Sequence, residues 1–480
     1  MINAVRYKSF KRYEDATLDL SKPLTILVGP NSSGKSSLIK GLLAFKQTYG
    51  DPADHAGFIA QGQYVDIGNF VEYSKNHDIN GQITFAFAVK LPVAYFARNI
   101  STVFIEINHQ NDPQTGHGRV VSYALFMSED SSRVVIDDYE HCEHWVRFRR
   151  MNKTDESFRM SLSEAMFDLV SKRYRHGLSE NLTYRKLCKH LKTGGVQAKR
   201  DNKRGMSLSY ERDPIPEDVI QFMFTLERVL LSRVHSVLFT SLTENTFALA
   251  SLREKPVRSM TLTDERQTVG PTGAHTAAVY HYLRQRAVKA GKRNSRIKDD
   301  FGRLDEWFRR LRLGTEIEIN SWRDLIDLRT KTAQGSSKSD SVVDVGVGFS
   351  QAAPILVQLA AMPDNTMMIV EQPELHLYPW SQTRIGEILC EETARGEKRV
   401  VLETHSEHVI HGVQLHISNV RAGKYHGLSH DDVQIIYISE DAKIRRISLN
   451  EFGEFESNWP DGFFDQTIQV YRTLMENRLA

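Results

Sequence analysis

Cysteine is scarce in this chain. Three are found in 480 residues, Cys142, Cys188 and Cys390, and their wide separation excludes a disulfide framework and any short cysteine metal or redox motif. A reduced, cytoplasmic setting is the natural expectation. Long apolar runs are also missing. The longest mainly apolar stretch, residues 352–362, is broken by Pro354 and Gln358 and falls far short of the ~20 residues that span a bilayer. The first residues, MINAVRYKSFKRY, show no apolar core or small-residue cleavage site, so neither a secretory signal nor a membrane partner is expected. Net charge is nearly absent, with 62 Lys and Arg against 60 Asp and Glu. No internal repeat and no sustained heptad pattern is visible.

What remains is ordinary globular composition, 40% hydrophobic and 25% charged, in a chain long enough for two or three domains. Charge is uneven locally. Residues 172–204 hold eleven Lys or Arg and two acids, and residues 284–298 hold seven Lys or Arg and no acid. Such blocks either contact the phosphates of DNA or RNA or form plain solvated faces. Within the first block, KTGGVQAKRDNKR has almost no apolar residues and reads as a loop.

The strongest pattern comes early. Leu24–Val28 is a short β-branched apolar run that predicts a buried strand. It leads into Gly29, Pro30, Asn31, Ser32, Ser33, Gly34, Lys35, Ser36 and Ser37. Leu38, Ile39, Leu42, Leu43 and Phe45 then recur at helical spacing. Strand, glycine loop and helix together form the setting that a GxxxxGKS phosphate loop requires. Gly29 and Gly34 let the backbone turn its amides toward an anion at a helix N-terminus. Lys35 then meets the β and γ phosphates of ATP, and Ser36 offers its hydroxyl to Mg2+.

The second half repeats the pattern of buried strand and polar end. Met367–Val370 runs into Glu371, Gln372, Pro373 and Glu374, and residues 399–402 run into Glu403, Thr404, His405 and Ser406. Between the phosphate loop and these strands stands GVGFSQ, carrying Ser350, ahead of a helical run. Strands alternating with helices predict a parallel sheet with right-handed crossovers. Polar strand ends then line the sheet edge where ligands bind.

GPNSSGKS, GVGFSQ, IVEQPELHLYP and LETHSEH, in this order, resemble the Walker A loop, signature, Walker B strand and switch-histidine segment of ABC-type ATPase heads. The resemblance is to the overcoming-lysogenization-defect and SMC/Rad50-like class, and it covers most of the chain, the middle unevenly. SLREKPVR, VGPTGAHTAA and NWPDGFFDQ further resemble a subfamily of bacterial ATPases. Several relatives are ATPase subunits of anti-phage systems, including Septu-like and PARIS-like pairs. The resemblance implies an α/β ABC-ATPase head with a mixed, largely parallel sheet flanked by helices, plus an inserted α/β or helical subdomain. It implies an N-terminal half of the head at 1–98, an inserted dimerisation or partner-binding region at 99–245, a linker at 246–340 and a C-terminal half at 341–480.

The same resemblance implies site roles. Glu371 takes the Mg2+-linked acid position with Ser36. Gln372 stands where the family carries the glutamate that polarises water, and glutamine accepts no proton there. The chain is then either naturally slow or a substituted form that traps ATP. Glu374 and Glu403 are partial substitutes in unusual places. Ser350 and His405 would meet the γ-phosphate held by a second copy, so ATP is sandwiched in a twofold dimer. Gln63 matches a Q-loop glutamine by position, and Lys11 is a candidate neighbour of the base. His376, His408 and His411 read as surface residues.

Residues 406–480 read as two strands and a short helix, too little for a Toprim nuclease. A nuclease or toxin effector is therefore expected on a separate partner. The alternative is a DNA-repair or chromosome-maintenance ATPase of the SMC/Rad50-RecF type. Against a Rad50-like arm, residues 100–300 contain Pro214, Pro216, Pro256 and Pro271 and no long heptads.

Overall fold

The computed structural model describes residues 1–51, 58–91, 102–127, 135–142, 144–150, 158–162, 196–201, 205–209, 232, 236–261, 268–290, 295–314, 316–323, 325–331, 338–457, 459–460 and 466–479. Most of the first basic block lies outside these residues. The chain divides into two compact units. One comprises residues 1–21 and 40–244, the other residues 22–39 and 245–480.

The first unit is built on a nine-stranded antiparallel sheet. Its strands are β1 (Ile2–Phe10), β2 (Tyr13–Asp19), β4 (Gln82–Lys90), β5 (Thr102–Asn111), β6 (Gly118–Met127), β7 (His144–Arg150), β8 (Phe158–Leu162), β9 (Val196–Asp201) and β10 (Gly205–Ser209), in the order β10-β9-β8-β7-β6-β5-β4-β1-β2. Ile83 through Val89 are buried without interruption, because both faces of the sheet are covered. On one face Phe45 meets Phe85 and Phe87 at ring separations of 4.8 and 4.9 Å. On the other, Ala86, Ala88, Phe104, Ala124, Phe126 and Tyr139 form a separate cluster. A domain boundary at residue 98 falls between β4 and β5, which pair from Gln82–Gln110 to Lys90–Thr102. The described strands of 99–245 continue the sheet of the N-terminal strands.

The second unit holds a six-stranded sheet, ordered β11 (Thr246–Leu249), β16 (Met367–Glu371), β17 (Arg399–Glu403), β3 (Leu24–Val28), β18 (Val433–Ile438) and β19 (Ile444–Ile447). Every neighbouring pair is parallel except β18 with β19. The expected strands appear within a residue or so of their predicted limits. Their continuous apolar runs follow from burial on both faces by crossover helices. A small antiparallel sheet of β12 (Met260–Thr261), β14 (Leu325–Lys331) and β13 (Glu316–Trp322), with β15 (Asp340–Ser341) paired to β14, leads into the GVGFSQ segment.

The longer helices among the described residues are α1 (Lys35–Gly50), α2 (Thr276–Ala290), α3 (Ser295–Arg310), α4 (Val347–Ala361), α5 (Pro379–Arg395), α6 (Glu407–Arg421) and α7 (Gln466–Leu479). Buried carboxylates tie α3 to α5. Arg310 binds Glu391 at 2.6 Å and Glu387 at 3.2 Å, and Arg303 and Lys398 share Glu392. Leaving Glu387 or Glu392 unpaired is costly, because a buried charge needs its partner.

His416 on α6 is fully buried. Its Nε2 accepts the Leu428 amide at 3.1 Å, which requires the neutral ring. Burial pushes its pKa down to about 4. The unfolded chain takes up this proton near pH ~6.5 and the folded chain only near 4, so stability falls as pH drops through that window. The loss predicted from this group is about 2 kcal/mol by pH 5. Urea titrations of wild type and His416→Gln at pH 7 and pH 5 measure it. The acid-induced loss shrinks by about that amount in the variant, whereas identical losses would place the effect elsewhere.

Candidate nucleotide site

The parallel register of β3, β17 and β16 brings the polar ends of three strands to one edge of the second unit. Glu403 lies beside Leu27, and Glu371 lies beside Glu403. The Thr404 amide donates to the Leu27 carbonyl at 3.1 Å. After Val28 the chain turns through Gly29, whose φ of +145° favours glycine. A Cβ at Gly29 would sit 2.1 Å from the Ile438 carbonyl oxygen. Only glycine lets the loop leave β3 so close to β18. Ser32 and Gly34 also have positive φ, +61° and +110°, and α1 begins at Lys35.

Lys35 is 3% exposed, and its Nζ donates to the Gly29 and Pro30 carbonyls at 3.0 and 2.7 Å. Burial lowers its pKa, and the charge of Glu403 opposes that shift. Ser33 is fully buried, and its hydroxyl has no partner among the described residues. Ser36 Oγ donates to Glu403 Oε1 at 2.8 Å. The carboxylate set against the Walker serine is thus Glu403. Glu371, the acid that the resemblance pairs with Ser36, ends the next strand, β16.

His405 is half-buried. Burial, and then the charge of Lys35, lower its pKa, so the ring is neutral at pH 7. Its amide donates to Glu374 Oε1 at 2.8 Å, and Thr404 Oγ1 donates to Glu374 Oε2 at 2.9 Å. Both oxygens of Glu374 therefore hold the segment that carries His405. Burial raises its pKa despite these bonds. Ser406 caps α6 by accepting the Val409 amide, and its hydroxyl donates to Gln382 at 2.6 Å. The switch segment is fixed from three sides.

Gln372 has φ +46°, and its amide donates to the Glu403 carbonyl at 2.7 Å. A non-glycine residue in this left-handed region stores on the order of 1 kcal/mol. The backbone after Glu371 is further held by Arg253, which the sequence reading passed over. Arg253 Nη2 donates to the Glu371 carbonyl at 2.8 Å. The residue is 7% exposed, and Nε and Nη1 have no partner among the described residues. Burial lowers its pKa to about 10, opposed by the charges of Glu374 and Glu371. It remains a cation at neutral pH. Its place in the SLREKPVR stretch is the one signal the sequence offers.

Ser350 lies in the first turn of α4, which starts five residues before the predicted helical run. It is 8% exposed, and its hydroxyl donates to the Val347 carbonyl at 2.7 Å. Pro354 lies inside the same helix and has no amide to give the Ser350 carbonyl. Gly346 and Val347 at the start of α4 are exposed. Gly348 packs so tightly that a Cβ would be 2.8 Å from the His376 carbonyl oxygen. His376 itself is exposed, at φ +59°.

Gln63 and Lys11 belong to the first unit. Gln63 is exposed in a bend closed by the Gln61–Asp66 bridge. Lys11 Nζ donates to the Ile67 carbonyl at 2.9 Å. Among the described residues no group of His, Cys, Asp and Glu is arranged as a separate metal site, and no helix is long and apolar enough to cross a membrane.

This edge fits Mg2+–nucleotide. A hydroxyl and carboxylates are the hard oxygen donors that Mg2+ prefers. A buried ammonium and a glycine loop at a helix start suit phosphate. Mg2+ and ATP, when bound, supply the charge-neutralised γ-phosphoryl group that water attacks.

Comparison with known proteins agrees with this assignment. Residues 1–202 match the family model described as "AAA ATPase domain". Residues 250–410 match one described as "AAA domain, putative AbiEii toxin, Type IV TA system". Residues 428–469 match a model described as "Protein of unknown function (DUF3696)". No curated protein matches the chain. Similar solved structures include an Smc head bound to the C-winged helix domain of ScpA, at 12% identity, 93% and 98% coverage of the two chains and TM-score 0.37. An SMC head from Thermotoga maritima matches at 11% identity, 94% and 99% coverage and TM-score 0.34. An Smc head with an extended coiled coil, bound to the C-terminal domain of ScpA and derived from Pyrococcus furiosus, matches at 11% identity, 99% and 99% coverage and TM-score 0.38. The Walker loop falls within the first ATPase-domain match, and Ser350, Glu371, Gln372 and His405 fall within the second, so both halves of the site lie in AAA-type ATPase sequence.

Proposed function

We propose that this protein is a cytoplasmic ABC-type ATPase subunit that dimerises around ATP and governs a separate effector in an anti-phage defence complex. The observation that carries the nucleotide part is the convergence of Lys35, Ser36, Glu403 and His405 at one sheet edge, through the pairing of β3 with β17. Residues 29–37 hold the phosphates, and Ser36 and Glu371 serve Mg2+.

The dimer follows from Ser350. Its hydroxyl is occupied by its own helix, while the exposed start of α4 offers a face to a second copy. There Ser350 turns outward to the γ-phosphate bound by the partner subunit. The effector follows from the chemistry. ATP turnover damages nothing by itself, so an ATPase of this kind works as a sensor whose nucleotide state holds or releases something else. The match to a toxin–antitoxin AAA domain supports a conflict system of this sort.

Gln372 sets the rate. It orients water without accepting its proton, which leaves a long-lived ATP state suited to a sensor.

Three outcomes test this. Lys35→Ala lowers ATP affinity at least tenfold in calorimetry; unchanged affinity contradicts the phosphate-loop assignment. Gln372→Glu raises phosphate release about 10²-fold, the scale of a positioned base; equal rates place the base elsewhere. In light scattering with ATP the wild type is at least a dimer and Ser350→Arg is a monomer. A wild-type monomer contradicts the composite site, and a dimeric variant moves the interface away from the nucleotide.

A further inference from the structure

We infer that Arg253 is a positioning residue of the ATPase reaction: it fixes the Glu371–Gln372 peptide and so sets the direction of the side chain at 372, the residue given to the attacking water. This deepens the ATP-hydrolysis reading and rests on it.

The grip is on a single peptide unit. Its carbonyl, that of Glu371, accepts from Arg253 Nη2 at 2.8 Å, and its amide, that of Gln372, donates to the Glu403 carbonyl at 2.7 Å. The carbonyl and amide of a trans peptide point in opposite directions, so the plane is held from both sides. Sheet order supplies the two sides. β16 runs between β11 and β17. Glu403 ends β17, whereas the ladder with β11 stops at Leu249 opposite Val370. Beyond that point the Arg253 guanidinium takes the place of a main-chain donor. Gln372 follows with φ +46°, a conformation that persists only where the surroundings over-determine it. Peptide plane and φ together aim the 372 side chain.

A carbonyl needs only one N–H donor, which a neutral side chain could provide. Here the donor is a cation only 7% exposed, with Nε and Nη1 unpartnered among the described residues. Burying such a group is costly, and the cost exceeds what one satisfied carbonyl requires. The charged donor makes the shorter, stronger bond. Glu374 and Glu371 lie close enough for their charges to act on it, and Glu374 also clamps the Thr404–His405 segment.

The segment carrying Arg253 is itself braced. The Ala250 amide donates to the Pro271 carbonyl and the Glu254 amide to the Thr272 carbonyl, both at 2.9 Å, and Thr272 Oγ1 donates to Glu254 Oε1 at 2.9 Å. The Val269 amide donates to Gln358 Oε1 on α4 at 2.9 Å, and a Cβ at Gly273 would sit 2.6 Å from Pro354 Cγ. SLREKPVR and VGPTGAHTAA thus form one brace between α4 and the end of β16. On so firm a base the arginine directs the peptide it holds.

The test is a double-mutant cycle between Arg253 and residue 372. It is read as phosphate release at saturating ATP and Mg2+, with ATP affinity measured by calorimetry. Gln372→Glu is introduced into the wild type, Arg253→Gln and Arg253→Lys. Arg253→Gln keeps an N–H donor without the charge, and Arg253→Lys keeps the charge with a different geometry. In the wild type Gln372→Glu raises release about 10²-fold. In Arg253→Gln the same change raises it less than about tenfold, because the base is present but misdirected, while ATP affinity stays within about threefold. Arg253→Lys gains an intermediate amount. A merely structural arginine would lower stability and leave the gain at 372 intact, because independent sites add. The full gain in whichever Arg253 variant folds overturns the inference, as does a loss of ATP affinity as large as the loss of turnover. No gain from Gln372→Glu in the wild type is a different result: it refutes the role given to residue 372, and the inference with it.

Discussion

The parallel pairing of β3 with β17 is the constraint on which the site depends. It fixes the Walker loop and the Glu403–Thr404–His405 segment at one sheet edge, because main-chain register decides which side chains can meet. The apolar runs of the two strands supply the pairing and their polar ends supply the chemistry. Loop geometry completes the arrangement. Gly29 must pass within contact of the Ile438 carbonyl, so β18 shapes the phosphate loop as much as β3 does.

Around this edge the buried charges form a chain of dependencies. Arg253 steadies the backbone after Glu371, Glu374 clamps the segment bearing His405, and Glu403 faces both Ser36 and the charge of Lys35. Each buried ion would be expensive alone. Their mutual placement makes them tolerable and leaves Lys35 folded onto its own loop, a state that phosphate oxygens would compete to replace. Gln372, held in left-handed backbone by the Glu403 carbonyl, is neutral and adds no further anion to the group.

Much of this was readable in the chain. Buried parallel strands are continuous apolar runs, so β3, β16 and β17 declared themselves, and the motifs at their ends marked the candidate site. Strand order was not readable. Nothing in one-dimensional spacing says that β17 lies between β16 and β3, and that order is what sets Glu403 against Ser36 and moves Glu371 one strand away. The nine-stranded sheet was hidden for a similar reason. β4 was recognised from its own pattern, but its long pairing with β5 joins segments on opposite sides of the boundary drawn at residue 98. Beyond its place in SLREKPVR, Arg253 does not stand out, because a single arginine in a polar segment looks solvated until the fold buries it. The Ser350 hydroxyl shows the opposite case. Its motif was visible, but its bond to Val347 depends on α4 beginning earlier than the apolar periodicity suggests.

The central claim is that Mg2+–ATP binds on residues 29–37 at the edge formed by β3 and β17. A crystal structure with Mg2+ and a non-hydrolysable ATP analogue tests it most directly. The account predicts the β and γ phosphates on the loop amides, Lys35 Nζ withdrawn from the Gly29 and Pro30 carbonyls to meet them, and the metal at Ser36. Nucleotide bound elsewhere, or a loop with Lys35 still on its own carbonyls beside a bound nucleotide, would contradict it.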